Sequence, residues 1–474
     1  MTPEEFRRLG HELVDWIADY RERIDELPVM SPLGPGEVKA RLPATPPEEG
    51  GSLDAIARDV EELIRPGITH WNHPRFFAYF PSNTSLAAVL ADLVASGFGA
   101  QAMSWQTSPA AAELEEVVMD WLRQMLGLPA TFTGVIHDTA SVATLCALLE
   151  ARERATRYSQ EEGGLQESPV PLTIYASAEA HSSVEKAARL AGFGQDHVRA
   201  IPTDDAHALR LDLLAEAIQR DRDAGRRPAA LVASIGTTAT TAIDPLAGMA
   251  EIAGRQDLWL HVDAALAGCA MILPECRPLW RGIERADSLV VNPHKWLGVG
   301  FDLSAYFVRD VPHLLRVMST SPSYLRTAED PAVRNYRDWG IQLGRRFRAL
   351  KLWFLLRDQG VRGLQARLRR DLANARWLQE EVDATPGWER LAPVPLQTVC
   401  LRHVPARLAQ DEKAIDQHNL ALAERINRGG RAYLTSALLK GRRMIRVSIG
   451  SELTERAHVE ALWQLLRDTA AALP

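Results

Sequence analysis

Apolar residues recur at steps of three and four from Phe6 through Leu9, Leu13 and Ile17 to Tyr20, which predicts an amphipathic first helix. Thr2 and Glu5 stand at capping-box spacing, and Pro3 suits the first helical position. A polar, proline-rich strap follows from Val29 to Gly51, then a second helical pattern from Leu53 to Ile64. Two helices and a strap are too thin to fold alone. Residues 1–84 are therefore expected to pack on something else, most simply a second copy of the chain.

From residue 85 to about 310 the texture changes. Short apolar runs at 134–137, 172–177, 198–202, 230–236, 258–263, 288–292 and 304–308 alternate with helix-period segments such as Ser183–Ala191, Leu211–Arg222 and Leu246–Arg255. That alternation predicts an α/β domain over 85–345, with a mostly parallel central sheet covered by helices. Ligands of such sheets bind beyond the carboxyl ends of the strands. The stretch Arg316–Gly340 has no period and is rich in Ser, Thr, Asp, Pro and Arg, as expected of a mobile lid. Helical patterns follow over Arg345–Arg357 and Gly360–Glu381. With VCLRHV, MIRVSIG and a last helix from Glu455 to about Ala471, residues 346–474 read as a small C-terminal α+β domain.

Composition acts mainly by exclusion. Of 474 residues, 54 are basic and 61 acidic, a formal charge of −7, with 46% hydrophobic and 24% charged. This is globular usage, and the mild acidity argues against nucleic acid as a partner. No run of about 18 apolar residues occurs, and no apolar signal core follows MTPEEFRRLG. No membrane association and a cytoplasmic location are expected. Four scattered cysteines (Cys146, Cys269, Cys276, Cys400) make neither a disulfide framework nor a CxxC zinc site, so no metal is expected.

The chemistry gathers at strand ends. Asn292-Pro293-His294-Lys295-Trp296 follows an apolar run. Lysine prefers solvent, and alone Lys295 reads as a surface residue after a strand. Its His and Trp flanks point elsewhere, as does a second polar residue closing an apolar run, Asp263 in LWLHVDAALAG. A desolvated lysine loses its proton readily and attacks aldehydes. A buried aspartate needs a cationic partner. Pyridoxal phosphate (PLP) satisfies both, as a Schiff base on Lys295 with Asp263 at its pyridinium nitrogen. Gly134–Ser141 is strand-like and runs into the helical pattern Val142–Arg157. Thr139, Ala140 and Ser141 at that start are either a plain N-cap or a phosphate cradle. His181, in Ala180-His181-Ser182-Ser183, is either structural or a flat ring that stacks on a flat cofactor.

With these residues in view, the chain resembles the aromatic-L-amino-acid decarboxylase family, the group II PLP decarboxylases of fold type I. Matching stretches run from EFRRLGHELVDWIADY through THWNHPRFFAYFPS, SWQTSPAAAELEEVVMDWL, TASVATL, AHSSVEKA, GTTATTAIDPL, WLHVDAALAG, ADSLVVNPHKWLGV and NYRDWGIQLGRRFRALKLWF to IRVSIGSELTERAHV. NPHKW and HVDAA at this separation are a specific pair.

The resemblance implies decarboxylation of an aromatic L-amino acid to the amine plus CO2. Lys295 would carry PLP, Asp263 would pair with the ring nitrogen, and His181 would stack on the ring near the substrate carboxylate. Thr139, Ala140 and Ser141 would bind phosphate, with further donors from Asn292 and His294. Thr238 and Ala265 would contact the ring, and Tyr336 would be the acid that protonates the product. Ser82 would line the substrate pocket, which Trp71, Tyr79, Phe80 and Met103 would also shape; the three aromatics read equally well as core. Family members are homodimers with shared active sites.

Relatives that make aldehydes with oxygen typically replace the loop Tyr or the stacking His. This chain keeps both, which favours decarboxylation over an aromatic acetaldehyde synthase. It departs from the family at Gln101-Ala102-Met103, at Leu266, at His137-Asp138 and at Val142. Met103 and Leu266 either reshape the aromatic slot or are core substitutions. His137 and Asp138 either perturb phosphate binding or pair with each other.

Overall fold

The computed structural model describes residues 1–167, 170–320 and 322–473. The chain divides into two compact units. One joins Met1–Pro81 to Arg376–Leu391 and the residues from Cys400 onward; the other comprises Ser82–Ala375 and Ala392–Val399.

The first unit opens with α1 (Pro3–Glu22), closed by the predicted capping box. The Glu5 amide donates to Thr2 Oγ1 at 3.2 Å, and the Thr2 amide to Glu5 Oε2 at 2.7 Å, a cap worth about 1 kcal/mol. The strap contains one short helix, α2 (Glu37–Arg41). The second predicted helix is α3 (Leu53–Asp59), which loosens into a π turn over Val60–Ile64.

The second unit begins with α4 (Leu86–Phe98) and α5 (Pro109–Leu126). All seven apolar runs then become strands of a single sheet: β1 (Thr133–His137), β2 (Leu172–Ser177), β3 (Val198–Ile201), β4 (Arg227–Ser234), β5 (Trp259–Asp263), β6 (Ser288–Val291) and β7 (Ser304–Val308). Their spatial order is β1-β7-β6-β5-β4-β2-β3. Strands β2 to β6 are parallel, and β7 runs antiparallel to both β6 and β1. Thus β1 points the same way as the parallel set, and five catalytically interesting strand ends share one edge. The intervening helices are α6 (Ala140–Thr156), α7 (Ser182–Leu190), α8 (Leu211–Asp223), α9 (Leu246–Gln256), α10 (Pro293–Trp296) and α11 (Val311–Met318). Strands β2, β5, β6 and β7 are buried along their whole length, so both faces are covered. On the α6 face, Val135, Val290, Tyr306 and Val308 pack on Ala143, Cys146 and Ala147.

The two helical patterns after residue 345 form α12 (Ala349–Ala384), interrupted at Gly360, whose φ of 61° suits glycine. The first unit is completed by β8 (Trp388–Arg390), the part of β9 (Thr398–His403) from Cys400 onward, α13 (Glu412–Arg428), β10 (Thr435–Leu439), β11 (Arg442–Ser448) and α14 (Arg456–Ala471). Its sheet order is β10-β11-β9-β8, with antiparallel outer pairs. All four cysteines are buried free thiols. Among the described residues no helix is long and apolar enough to cross a membrane.

Candidate active site

Asp263 is the last residue of β5, in register with Ser234 of β4 and Val290 of β6. Register partners share a face, so Asp263 projects to the α6 side, as Val290 does. Its Oδ1 accepts the Ala265 amide at 3.1 Å, and the Ala265 carbonyl accepts the Asn292 amide at 2.8 Å. The segment that ends β5 is thereby joined to the segment that bears Lys295.

Lys295 sits in the single turn α10 between two anchored neighbours. His294 Nδ1 accepts the Leu303 amide at 3.0 Å, and burial pushes its pKa down to about 4, so the ring is neutral with Nε2 as its donor. Trp296 is fully buried and donates from Nε1 to Asp371 Oδ2 at 2.8 Å. The Lys295 carbonyl accepts Asn83 Nδ2 at 3.1 Å.

His181 caps α7: its Nδ1 accepts the Ser183 amide at 3.1 Å and lies 2.8 Å from Ser183 Oγ. With Nδ1 accepting, the neutral ring carries its proton on Nε2. Its pKa is lowered, chiefly by burial; the Asp263 carboxylate opposes that shift and Lys295 adds to it. His181 therefore lies within electrostatic reach of both residues, and these three predicted residues are brought together.

Thr139 stands at the N-cap of α6 without capping it, its hydroxyl and amide both turned to Asp138 Oδ1. The first turn, with Ala140 and Ser141, thus presents its amides to the same sheet edge. Asn292 Oδ1 accepts from Ser304 Oγ at 2.7 Å, leaving its Nδ2 to donate. Thr238 is exposed on the loop after β4. Gly236 opens that loop at φ +85°, and a Cβ there would meet Ala267 Cβ at 2.6 Å.

His137 and Asp138 do not pair. His137 Nε2 donates to the Trp339 carbonyl at 3.0 Å while its ring stacks on Tyr306 at 5.2 Å. Burial lowers its pKa to about 4. Asp138 instead faces Thr139 and Gln342. Leu266 is buried core, and Met103 is half-buried.

Tyr336 lies in the predicted lid region, yet it is only 1% exposed and packs in the α6-face cluster with Trp339. Burial raises its phenol pKa strongly, and its chief charged neighbours are Glu115, Arg334 and Glu116 rather than Asp263 or Lys295. This conformation does not bring it to the other three residues. The Arg345 guanidinium lies 4.8 Å from its ring centroid.

Ser82 is half-buried beside Asn83 in the second unit. Trp71, Tyr79 and Phe80 belong to the first unit. Trp71 and Tyr79 stack at 5.7 Å and are both exposed, which removes them from the core, while Phe80 lies under Arg446.

Sequence reasoning missed Asn83, Ser304 and Asp371, which hold Lys295, Asn292 and Trp296 in place. Asn83 follows the quoted AYFPS stretch immediately, but nothing local marks its partner 212 residues away.

An amine, a carboxylate, an imidazole and an uncapped helix N-terminus converge on one strand-end edge. That donor set fits a ring bearing an aldehyde, a basic nitrogen and a phosphate. A family model described as the pyridoxal-dependent decarboxylase conserved domain matches residues 35–404. The aromatic-L-amino-acid decarboxylase of Sus scrofa is 42% identical, covering 100% of this chain and 98% of its own. The phenylacetaldehyde synthase of Arabidopsis thaliana is 40% identical, covering 100% and 97%. The crystal structure of Oryza sativa TDC with PLP and tryptamine superposes with a TM-score of 0.96 at 38% identity, covering 100% of this chain and 99% of that one. The chain belongs to the pyridoxal-dependent decarboxylases, as a PLP-dependent carboxy-lyase of group II and fold type I.

Proposed function

We propose that this chain decarboxylates an aromatic L-amino acid of the Tyr, DOPA, Trp, 5-hydroxytryptophan or Phe class to its amine, with PLP carried on Lys295. The convergence of Lys295, Asp263 and His181 at the strand ends carries the reading.

When bound, PLP supplies an aldehyde that captures the substrate amine and a conjugated ring that takes up the electron pair of the breaking bond. Asp263, fixed by the Ala265 amide, would keep a proton on the ring nitrogen. Thr139, Ala140 and Ser141 would hold the phosphate on the α6 N-terminus, with Asn292 and His294 as further donors, while Thr238 and Ala265 would flank the ring. His181 would stack on the ring and offer Nε2–H to the substrate carboxylate. Being neutral, it orients the departing group without holding it by charge. Tyr336 is the proposed acid for Cα: burial raises its pKa and keeps its phenol proton through the neutral range, and it must leave its buried position to reach the other three residues. Ser82 and Met103, both in the second unit, are the proposed lining of the slot for the aromatic side chain.

The active form is a homodimer with shared sites, in the cytoplasm. Helix α4 supports this: Leu86, Leu90, Leu93, Val94 and Phe98 are all exposed on it at helical spacing.

The alternative is an aromatic acetaldehyde synthase, because relatives with that activity are among the most similar. Incubation with the five amino acids, measuring CO2, amine, aldehyde and peroxide, separates the two. Amine without stoichiometric peroxide is expected; equal aldehyde and peroxide overturns the decarboxylase reading.

A further inference from the structure

His137 and Asp138 play no part in the chemistry above, and Asp138 directly precedes the residues proposed to take the cofactor phosphate. Asp138 is held from two sides. Its Oδ1 accepts the amide of Thr139, the residue heading α6, at 2.6 Å, and its Oδ2 accepts Gln342 Nε2 at 3.3 Å. Its backbone carbonyl accepts Ser304 Oγ at 3.4 Å, the hydroxyl that also donates to Asn292 Oδ1. A carboxylate is therefore held at the amide that heads a 17-residue helix, whose first turn carries Ala140 and Ser141. A helix N-terminus stabilises one anion well; two anions sharing it repel.

We propose that Asp138 sets cofactor retention: it competes with the PLP phosphate for the α6 N-terminus, so this chain binds PLP weakly and exchanges it readily. The proposal rests on the reading that the first turn of α6 takes the phosphate. Asp138 acts on the phosphate and not on the ring, so unphosphorylated pyridoxal escapes its effect. Because the interaction is between charges near solvent, salt weakens it.

The test is equilibrium binding of PLP and of pyridoxal, followed by visible absorbance and tryptophan quenching. It uses the full-length protein as wild type, Asp138→Asn, Asp138→Ser and Ser141→Asp. Asp138→Asn keeps an acceptor for the Thr139 amide and removes only the charge; Asp138→Ser is a second neutral variant should the first fold poorly. Both neutral variants should bind PLP about tenfold more tightly than wild type. Pyridoxal affinity should move less than about twofold, and the PLP gain should shrink as salt rises. Unchanged PLP affinity in both neutral variants overturns the proposal, as does equal tightening of PLP and pyridoxal. Ser141→Asp should weaken PLP and spare pyridoxal. If it leaves PLP affinity intact, the α6 phosphate reading itself fails, an outcome distinct from failure at Asp138.

Discussion

The backbone amide of Arg337 donates to the carbonyl of Met103 at 2.8 Å. Around this bond the two segments zip together: the Ala102 amide donates to the Arg345 carbonyl at 2.9 Å, and the Trp105 amide to Asn335 Oδ1 at 3.1 Å. The segment bearing the proposed acid Tyr336 is thus hung on the segment bearing the proposed pocket residue Met103. His137, at the end of β1, adds a fourth tie to the Tyr336 segment through the Trp339 carbonyl.

Tyr336→Phe should fold normally, since only a hydroxyl is lost from an otherwise apolar cluster. Amine formation should fall by about 10²-fold or more, the usual worth of a positioned acid, while PLP affinity stays within about twofold of wild type. Aldehyde and peroxide should appear as oxygen takes over. Product analysis showing unchanged amine yield would remove Tyr336 from the mechanism.

Lys295→Ala should abolish covalent PLP attachment. Mass spectrometry after borohydride treatment should find cofactor fixed to wild type and none on the variant, with turnover reduced at least about a thousandfold. Fixation at another lysine would refute its role.

Arg345 and Glu115 form an ion pair at 2.7 Å with side chains only 7% and 2% exposed. Arg345 Nη2 also donates to the Ile136 carbonyl at 2.7 Å, and Glu115 Oε1 accepts the Ile136 amide at 2.8 Å. The pair therefore clamps α5, β1 and the end of the Tyr336-to-α12 connection. Arg345→Ala leaves a buried carboxylate uncompensated and should cost about 3–5 kcal/mol in denaturant unfolding. A loss below about 1 kcal/mol would contradict the clamp.

Glu150 of α6 is fully buried, accepts from Tyr306 Oη at 2.5 Å, and has its pKa raised by burial to about 8. A carboxyl whose folded pKa exceeds its unfolded one stabilises fully below the unfolded value near 4.5 and loses that contribution as pH rises through 8. Glu150→Gln keeps the acceptor and cannot ionise. Its stability relative to wild type should climb between pH 5 and pH 8, by up to about 1.4 kcal/mol per pH unit. A flat difference across that range in thermal unfolding would show that Glu150 is not held neutral.

The fold was largely legible because its signals are local. An apolar run closed by a polar residue marks a buried strand and its end within about six residues, and the strand-end positions of Asp263 and Lys295 were legible that way. His181 and Thr139 were found by position after a strand, although each alone had an ordinary structural reading. Tyr336 was correctly placed in an aperiodic stretch, but its burial was not foreseeable. That burial depends on β1, α6 and β6 surfaces drawn from distant parts of the chain.

The sequence by itself determined the alternation of strands and helices and the strand-end lysine and aspartate, because backbone periodicity and burial preference act residue by residue. Only the tertiary structure decided that Asn83, Ser304 and Asp371 hold the active segment, since their partners lie far off along the chain. It alone separated His137 from Asp138, because successive side chains at a strand end leave in opposite directions. One therefore enters the α6 core, and the other meets the N-terminus of that helix.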